Sequence, residues 1–168
     1  MSGAEFSRLA DVRAIDAAPM RLVADAGECA ALAVRFDLVA VSRLEAVLDL
    51  AKDGAAVLAT GTLSADIVQS CAISAEDLPV SIRESLALRF VPATDRRADE
   101  ELELDADELD EIPFTGTAFD VGEAVAQSLF LAIDPFLEGP DAERVRREVL
   151  AKAENSGAFA ALAKLRKP

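Results

Sequence analysis

From Arg43 onward, hydrophobic and polar positions alternate with a period of two. Leu44, Ala46, Leu48 and Leu50 interleave with Glu45, Val47, Asp49 and Ala51, which predicts a strand with one face on a core. Lys52-Asp-Gly54 supplies a hairpin turn, because glycine takes positive φ without steric cost. Alternation resumes through Val57, Ala59, Gly61, Leu63, Ala65 and Ile67. After a turn containing Cys71 and Pro79 it returns at Val80, Ile82, Leu86, Leu88 and Phe90. These three runs predict an antiparallel meander. Glu5–Val12 and Met20–Ala24 are candidate N-terminal strands.

Helical spacing marks two other regions. Asp25-Ala-Gly-Glu28 reads as a capping box opening a short alanine-rich helix, GECAALAVRF, with Cys29 in its first turn. Asp120-Val-Gly-Glu123 reads as a second capping box, followed by a Val121, Val125, Leu129, Ile133 stripe flanked by Ala124 and Ala132. Asp134-Pro135 ends that helix. A charged helix, DAERVRREVLAKAE, follows and breaks at Asn155-Ser-Gly157. The closing AFAALAKLRK places Phe159, Leu162 and Leu165 three residues apart. Strands first and helices after indicate an α+β domain with a mostly antiparallel sheet: a three-stranded meander plus N-terminal strands, a short N-terminal helix and a C-terminal helical segment, 119–166. At 168 residues a single domain spanning 1–168 is expected.

Charge divides the chain unevenly. The net charge is -14, and residues 95–112 carry 10 acidic and 2 basic side chains. The run 93–112 reads as a solvated acidic loop, although Leu102 and Leu104 have the spacing of a brief edge strand. Its functional reading is a polyanion that shields a basic partner. The closing residues 144–168 hold 7 basic and 2 acidic side chains, a small cationic counterpart. So acidic a chain is a poor ligand for bare nucleic acid, whose affinity comes from Lys and Arg displacing counterions. Tyr, Trp and His are all absent, which removes stacking rings other than Phe and any imidazole base or ligand. The opening residues lack a signal peptide's apolar run and nothing spans a bilayer, so a cytoplasmic protein is expected. Two cysteines without histidine fit a reducing compartment.

Candidate chemistry is sparse. Cys71, in VQSCAIS, has Ser74 where a C-x-x-C pair would place its second thiol. With Cys29 distant and no histidine, four metal ligands do not assemble. As a nucleophile it lacks a base, and Glu76 and Asp77 should raise its pKa, so a packed small side chain at a turn is the favoured reading. Asp105-x-Asp107 begins like an EF-hand, but Leu109, Asp110 and Gly116 occupy ligand, glycine and glutamate positions. Ala59–Ser64 holds one glycine inside a strand and is no phosphate loop. A carboxylate pair acting on RNA or a small metabolite with a divalent metal is the enzymatic alternative; the sequence singles out no such pair.

Three segments together resemble the YceD family of bacterial proteins: GTLSADIVQSCAIS, where family members carry C-x-x-C; Phe119–Ile133, similar to a helix opening with Asp-Leu-x-Glu; and Gly157–Lys167, similar to a terminus Asn-Pro-Phe-Ala-x-Leu-x-x-Leu-Lys. The motif positions are Cys71, Asp120, Glu123 and Phe159. EFSRLADVRAI and GECAALAVRFDL resemble the alphaproteobacterial branch. The resemblance implies a non-enzymatic role, without cofactor, in accumulation, processing or stability of large-subunit rRNA. Ser74 departs from the pattern, so a metal or redox role of the pair does not carry over. Combined with the charge, the resemblance points to a basic ribosomal protein or pre-ribosomal particle as partner, with weak binding to naked RNA. Contacts are expected at Asp99, Glu100, Glu101, Glu103, Asp105, Asp107, Glu108, Asp110 and Glu111, with Lys164, Arg166 and Lys167 touching rRNA or folding back on the loop.

Overall fold

The computed structural model describes residues 5–93 and 110–155. In chain order these form β1 (Leu9–Asp11), a 3-10 turn (Val12–Ala14), β2 (Met20–Val23), α1 (Ala26–Arg35), β3 (Ala40–Asp53), β4 (Ala56–Ser70), β5 (Asp77–Pro92), β6 (Asp110–Phe114), β7 (Ala118–Asp120), α2 (Val121–Ala132) and α3 (Ala142–Asn155). The fold is α+β. A five-stranded sheet runs β2-β3-β4-β5-β6, and β1 pairs with β7 in a separate two-stranded ribbon.

The expected meander is present as the long antiparallel β3-β4-β5 unit. Gly54 turns the β3–β4 hairpin at φ 62°, a conformation other residues adopt only with strain. Alternation in the sequence becomes two faces in space. Leu44, Ala46 and Leu48 of β3 pair with Ala65, Leu63 and Gly61 of β4, while Ile82, Leu86 and Leu88 of β5 extend the same rows. These side chains are buried beneath Leu32 and Ala33 of α1 and Val121, Val125 and Leu129 of α2. The other face carries Val47, Thr60, Thr62 and Arg83, and is open to water, as antiparallel sheets allow.

Three expectations are corrected. The first predicted strand, Glu5–Val12, shrinks to Leu9–Asp11, because the Asp11 carboxylate accepts the Arg13 amide hydrogen bond and folds the chain into a 3-10 turn. Pro79 lies inside β5, paired with Val68, and not in the preceding turn. Among the described residues β5 has no second neighbour there, so the missing N–H leaves no ladder position empty. The acidic run ends sooner than expected: Asp110, Glu111 and Ile112 belong to β6, which runs parallel to β5 from Leu88 to Pro92. Burying Phe114 against Phe119, ring centroids 5.6 Å apart, gives β6 an apolar anchor that outweighs its acidic entry. Residues 94–109, including Leu102 and Leu104, and the closing segment 156–168 lie outside the described residues.

Candidate functional site

Of the family-motif positions, Asp120 joins two distant parts of the chain. It ends β7 and caps α2: its carboxylate accepts the Glu123 amide at 3.1 Å, the Arg8 amide at 2.8 Å and the Ser7 hydroxyl at 2.6 Å. Burial pushes this carboxyl up, but the bonds from Ser7, Arg8, Glu123 and Gly122 together hold it below its ordinary value. One side chain thus ties the start of α2 to the N-terminal segment, more than a hundred residues earlier in sequence.

The first capping box is complete, with Asp25 accepting the Glu28 amide and Glu28 accepting the Asp25 amide. The second is only half formed. Asp120 plays its part, but Glu123 turns instead to Arg35, whose Nη1 and Nη2 reach its two oxygens at 2.8 and 2.7 Å. A charge-assisted two-point bond outcompetes a single neutral amide donor. Arg35 also donates to Glu5 at 2.8 Å, so it bridges α1, α2 and the N-terminal segment. Arg8, at α1's other end, joins α1 to the end of β2 through the Glu28 carboxylate and the Val23 carbonyl. Its guanidinium clasps Glu28 at 2.7 and 2.9 Å and lies 4.6 Å from the Phe6 ring centroid. Sequence spacing marked Asp120 and Glu123 but neither arginine, since their partners are remote in the chain.

Gly122, inside the Asp-x-x-Glu signature, is a further missed residue. A Cβ there would lie 2.6 Å from the Phe6 carbonyl oxygen and 2.7 Å from the Arg8 amide nitrogen. Only glycine lets α2 approach that backbone so closely.

Cys71 sits in the β4–β5 turn, 4% exposed. Its sulfur accepts amide hydrogens from Ile73 at 3.4 Å, Ser74 at 3.3 Å and Gly139 at 3.2 Å. The turn reverses through Ala75 at φ 59° and closes with Cys71 N–H donating to the Glu76 carbonyl. The expectation that nearby acids would raise the thiol is overturned. The Gly139 amide, then Ser74, bring its pKa down to about 7, against burial pushing up. Local sequence contained Glu76 and Asp77 but not Gly139, which arrives from the α2–α3 connection. Among the described residues no three Cys, Asp or Glu side chains stand close enough to share a metal ion. Two carboxyls do interact nearby, at Asp141 and Glu76, with Asp141 held low chiefly by its hydrogen bond from Arg144. Cys29 differs: burial pushes its thiol up, and it packs under the sheet.

Beside Cys71 an open groove of about 730 Å³ separates the ends of α1, β4 and α2, walled by Phe36, Leu38, Phe130, Leu131 and Ile133. Gln69, the buried polar residue of β4, floors it and donates to the Asp134 carbonyl at 2.8 Å. Phe130 and Leu131 are apolar yet off the buried stripe of α2. A helix apolar on more than one face was the available signal for a second contact surface.

The predicted partner contacts divide. Glu111 stands in β6 with its carboxylate 3.5 Å from Arg89, and so is tied to the sheet. Asp110 opens the same strand. Asp99, Glu100, Glu101, Glu103, Asp105, Asp107 and Glu108 lie outside the described residues, as do Phe159, Lys164, Arg166 and Lys167.

No described helix is long and apolar enough to cross a membrane. A family model described as "Large ribosomal RNA subunit accumulation protein YceD" matches residues 59–166, more than half of the chain. That stretch holds most of β4, the Cys71 turn, β5, the Asp120 cap, α2 and α3. No curated protein and no solved structure matches.

Proposed function

The chain belongs to the YceD family of large ribosomal RNA subunit accumulation proteins, and from that membership we propose that it is a non-enzymatic cytoplasmic factor supporting accumulation of large-subunit rRNA by binding a basic ribosomal or pre-ribosomal protein. The observation that carries the mechanism is electrostatic. The net charge is -14, and Arg8, Arg13, Arg21, Arg35, Arg43, Arg89, Arg144 and Arg146 all stand in ion pairs with carboxylates of the same chain. Cations already neutralised in this way release few counterions on meeting a phosphate backbone. A positively charged polypeptide meets no such obstacle and is steered toward the acidic excess of residues 95–112.

The test is recovery of ribosomal proteins on immobilised protein, wild type against a variant with Asp99, Glu100, Glu101, Glu103, Asp105, Asp107 and Glu108 converted to amides. Asp110 and Glu111 are left intact, because β6 contains both and Glu111 pairs with Arg89. The expected result is loss of most ribosomal-protein recovery with the fold unchanged by circular dichroism. Equal recovery by the variant removes the acidic run from the mechanism. Tight binding of the purified wild type to naked rRNA at moderate salt overturns the electrostatic reading as a whole.

A further inference from the structure

Two surfaces of this chain match each other and do not meet within it. One is the groove between α1, β4 and α2, whose apolar wall is open to water: Phe130 is 53% and Leu131 78% exposed. The unpaired charge at its rim is acidic. Asp37 lines the groove and Asp134 lies between two of its lining residues, Ile133 and Pro135, and neither forms an ion pair with a described residue. Arg35, on the adjoining wall, is held by Glu5 and Glu123. The other surface is α3. Val145, Val149 and Leu150 fall on one stripe of this helix, and Val149 is 59% and Leu150 58% exposed. Among the cations of α3, Arg144 and Arg146 are held by neighbouring carboxylates of the same chain. Arg147 and Lys152 flank the stripe on its two sides, by helical geometry, and form no ion pair with a described residue. An apolar groove with an acidic rim and an apolar helix face with cations beside it are complements.

Within one chain the two stay apart. No α3 residue lines the groove. The start of α3 is fixed to the β4–β5 turn, where the Ala72 amide donates to the Leu137 carbonyl at 3.0 Å, the Gly139 amide to Cys71 Sγ at 3.2 Å and the Asp141 amide to Glu76 Oε1 at 3.4 Å. These bonds set the direction of the helix, so it cannot turn back over its own groove without breaking them. A second copy meets no such restraint. We propose that two copies associate about a two-fold axis, each seating Val149 and Leu150 of its α3 on Phe130 and Leu131 of the other's groove, with Arg147 and Lys152 facing the other's Asp37 and Asp134. Such an interface is isologous, so every contact forms twice. The 14 residues of α3 make a helix about 21 Å long and about 10 Å wide. Two reciprocal contacts, counted on both surfaces, then cover roughly 800–900 Å², an area of transient rather than permanent assemblies. The dimer therefore dissociates on dilution through the micromolar range. The acidic run takes no part in it, so this assignment stands apart from the choice of ribosomal partner.

Sedimentation equilibrium of the full chain, from low micromolar to several hundred micromolar, tests it. The average mass should rise with concentration from that of one chain toward that of two, and less steeply in high salt, which screens the rim pairs. Leu131→Glu and Val149→Glu, both at exposed positions, should each weaken dimerisation by about ten-fold or more, since by symmetry each strikes both contacts. Circular dichroism of both should match wild type. An equimolar mixture of the two variants should dimerise more tightly than either alone, because one contact then joins an intact groove to an intact helix. Reversing the groove charges alone, Asp37→Lys with Asp134→Lys, or the helix charges alone, Arg147→Glu with Lys152→Glu, should weaken the dimer, and combining all four in one chain should restore it. A chain that stays monomeric throughout overturns the proposal, as do masses that grow past two chains. So does a dimer sensitive to Leu131→Glu but not to Val149→Glu, which places groove on groove, or the converse, which places helix on helix. A combined charge reversal that restores nothing overturns it too.

Discussion

Replacing Asp120 by alanine removes three hydrogen bonds at once, from the Ser7 hydroxyl and from the Arg8 and Glu123 amides. A helix cap alone contributes about 1 kcal/mol, and hydrogen bonds to a charged group add roughly 1.5–3 kcal/mol each before solvent screening. The carboxylate is only partly buried, so the lower ends apply, and we expect a total loss of about 3 kcal/mol. For a chain of this size that lowers Tm by roughly 6–12 °C. Asp120→Asn keeps one acceptor oxygen for the two amides and offers an N–H to Ser7, so its loss should be about half as large. Acid supplies a second axis. The folded-state pKa lies below the ordinary 3.8, so the ionised group's extra stability is complete above about pH 5 and disappears as pH falls through the depressed value. The gap between wild type and Asp120→Asn should therefore narrow on acidification. Urea unfolding followed by circular dichroism at several pH values measures all of this. A loss under about 1 kcal/mol for Asp120→Ala, or a gap that widens in acid, refutes the assignment of Asp120 as the clasp between α2 and the N-terminal segment.

Gly122→Ala should destabilise by about 2 kcal/mol or more, although alanine is the better helix former, because its Cβ meets backbone rather than a flexible side chain; unchanged or raised stability contradicts the close approach. Arg35→Ala should lose about 1–2 kcal/mol, and Arg35→Lys should recover less than half of it, since a point charge cannot hold both Glu123 oxygens and Glu5 together. Equal stability of the lysine variant in urea unfolding removes the two-point geometry from the account. Ultraviolet titration of thiolate absorbance should show one group ionising near 7, absent in Cys71→Ala. Because that value is depressed from 9.0, the thiolate's contribution to stability is lost as pH falls through 7 and is fullest in mild alkali. A single midpoint at or above the ordinary cysteine value shows that the Gly139 amide does not reach the sulfur.

Much of the fold was legible because the signals were local. Period-two alternation located β3, β4 and β5, whose cross-strand pairing buries the same positions that the pattern marks as apolar. The Asp25–Glu28 box located α1 because both of its partners lie within four residues. β6 was not legible: its first residues read as more of an acidic run, and what holds them is a parallel pairing with β5 and a phenylalanine, Phe114, packed on Phe119. The start of β5 was misread for the complementary reason. Pro79 is a turn residue by propensity, and only the absence of a described neighbour on that edge makes it harmless in a strand.

The Cys71 turn separates what spacing can say from what it cannot. Ser74 in place of a second thiol argues against a metal-binding pair from sequence alone, since four ligands cannot be gathered from two cysteines and no histidine. Whether the turn then holds its shape is a separate question: a thiol is buried easily as a small apolar group, but one whose pKa is drawn down needs donors to the sulfur. Two donors are local, the amides of Ile73 and Ser74, and follow from the bend itself. The third and shortest comes from Gly139, 68 positions away, delivered by a connection that Gln69 fastens to the end of β4 through the Asp134 carbonyl. A Cβ at position 139 would meet only the Glu76 and Leu78 side chains, which can swing aside, so what the site asks of this residue is its backbone N–H and not its lack of a side chain. The same connection lines the groove with Pro135 and then leads into α3. The thiol is therefore better understood as the peg on which the α2–α3 connection hangs than as a reacting group.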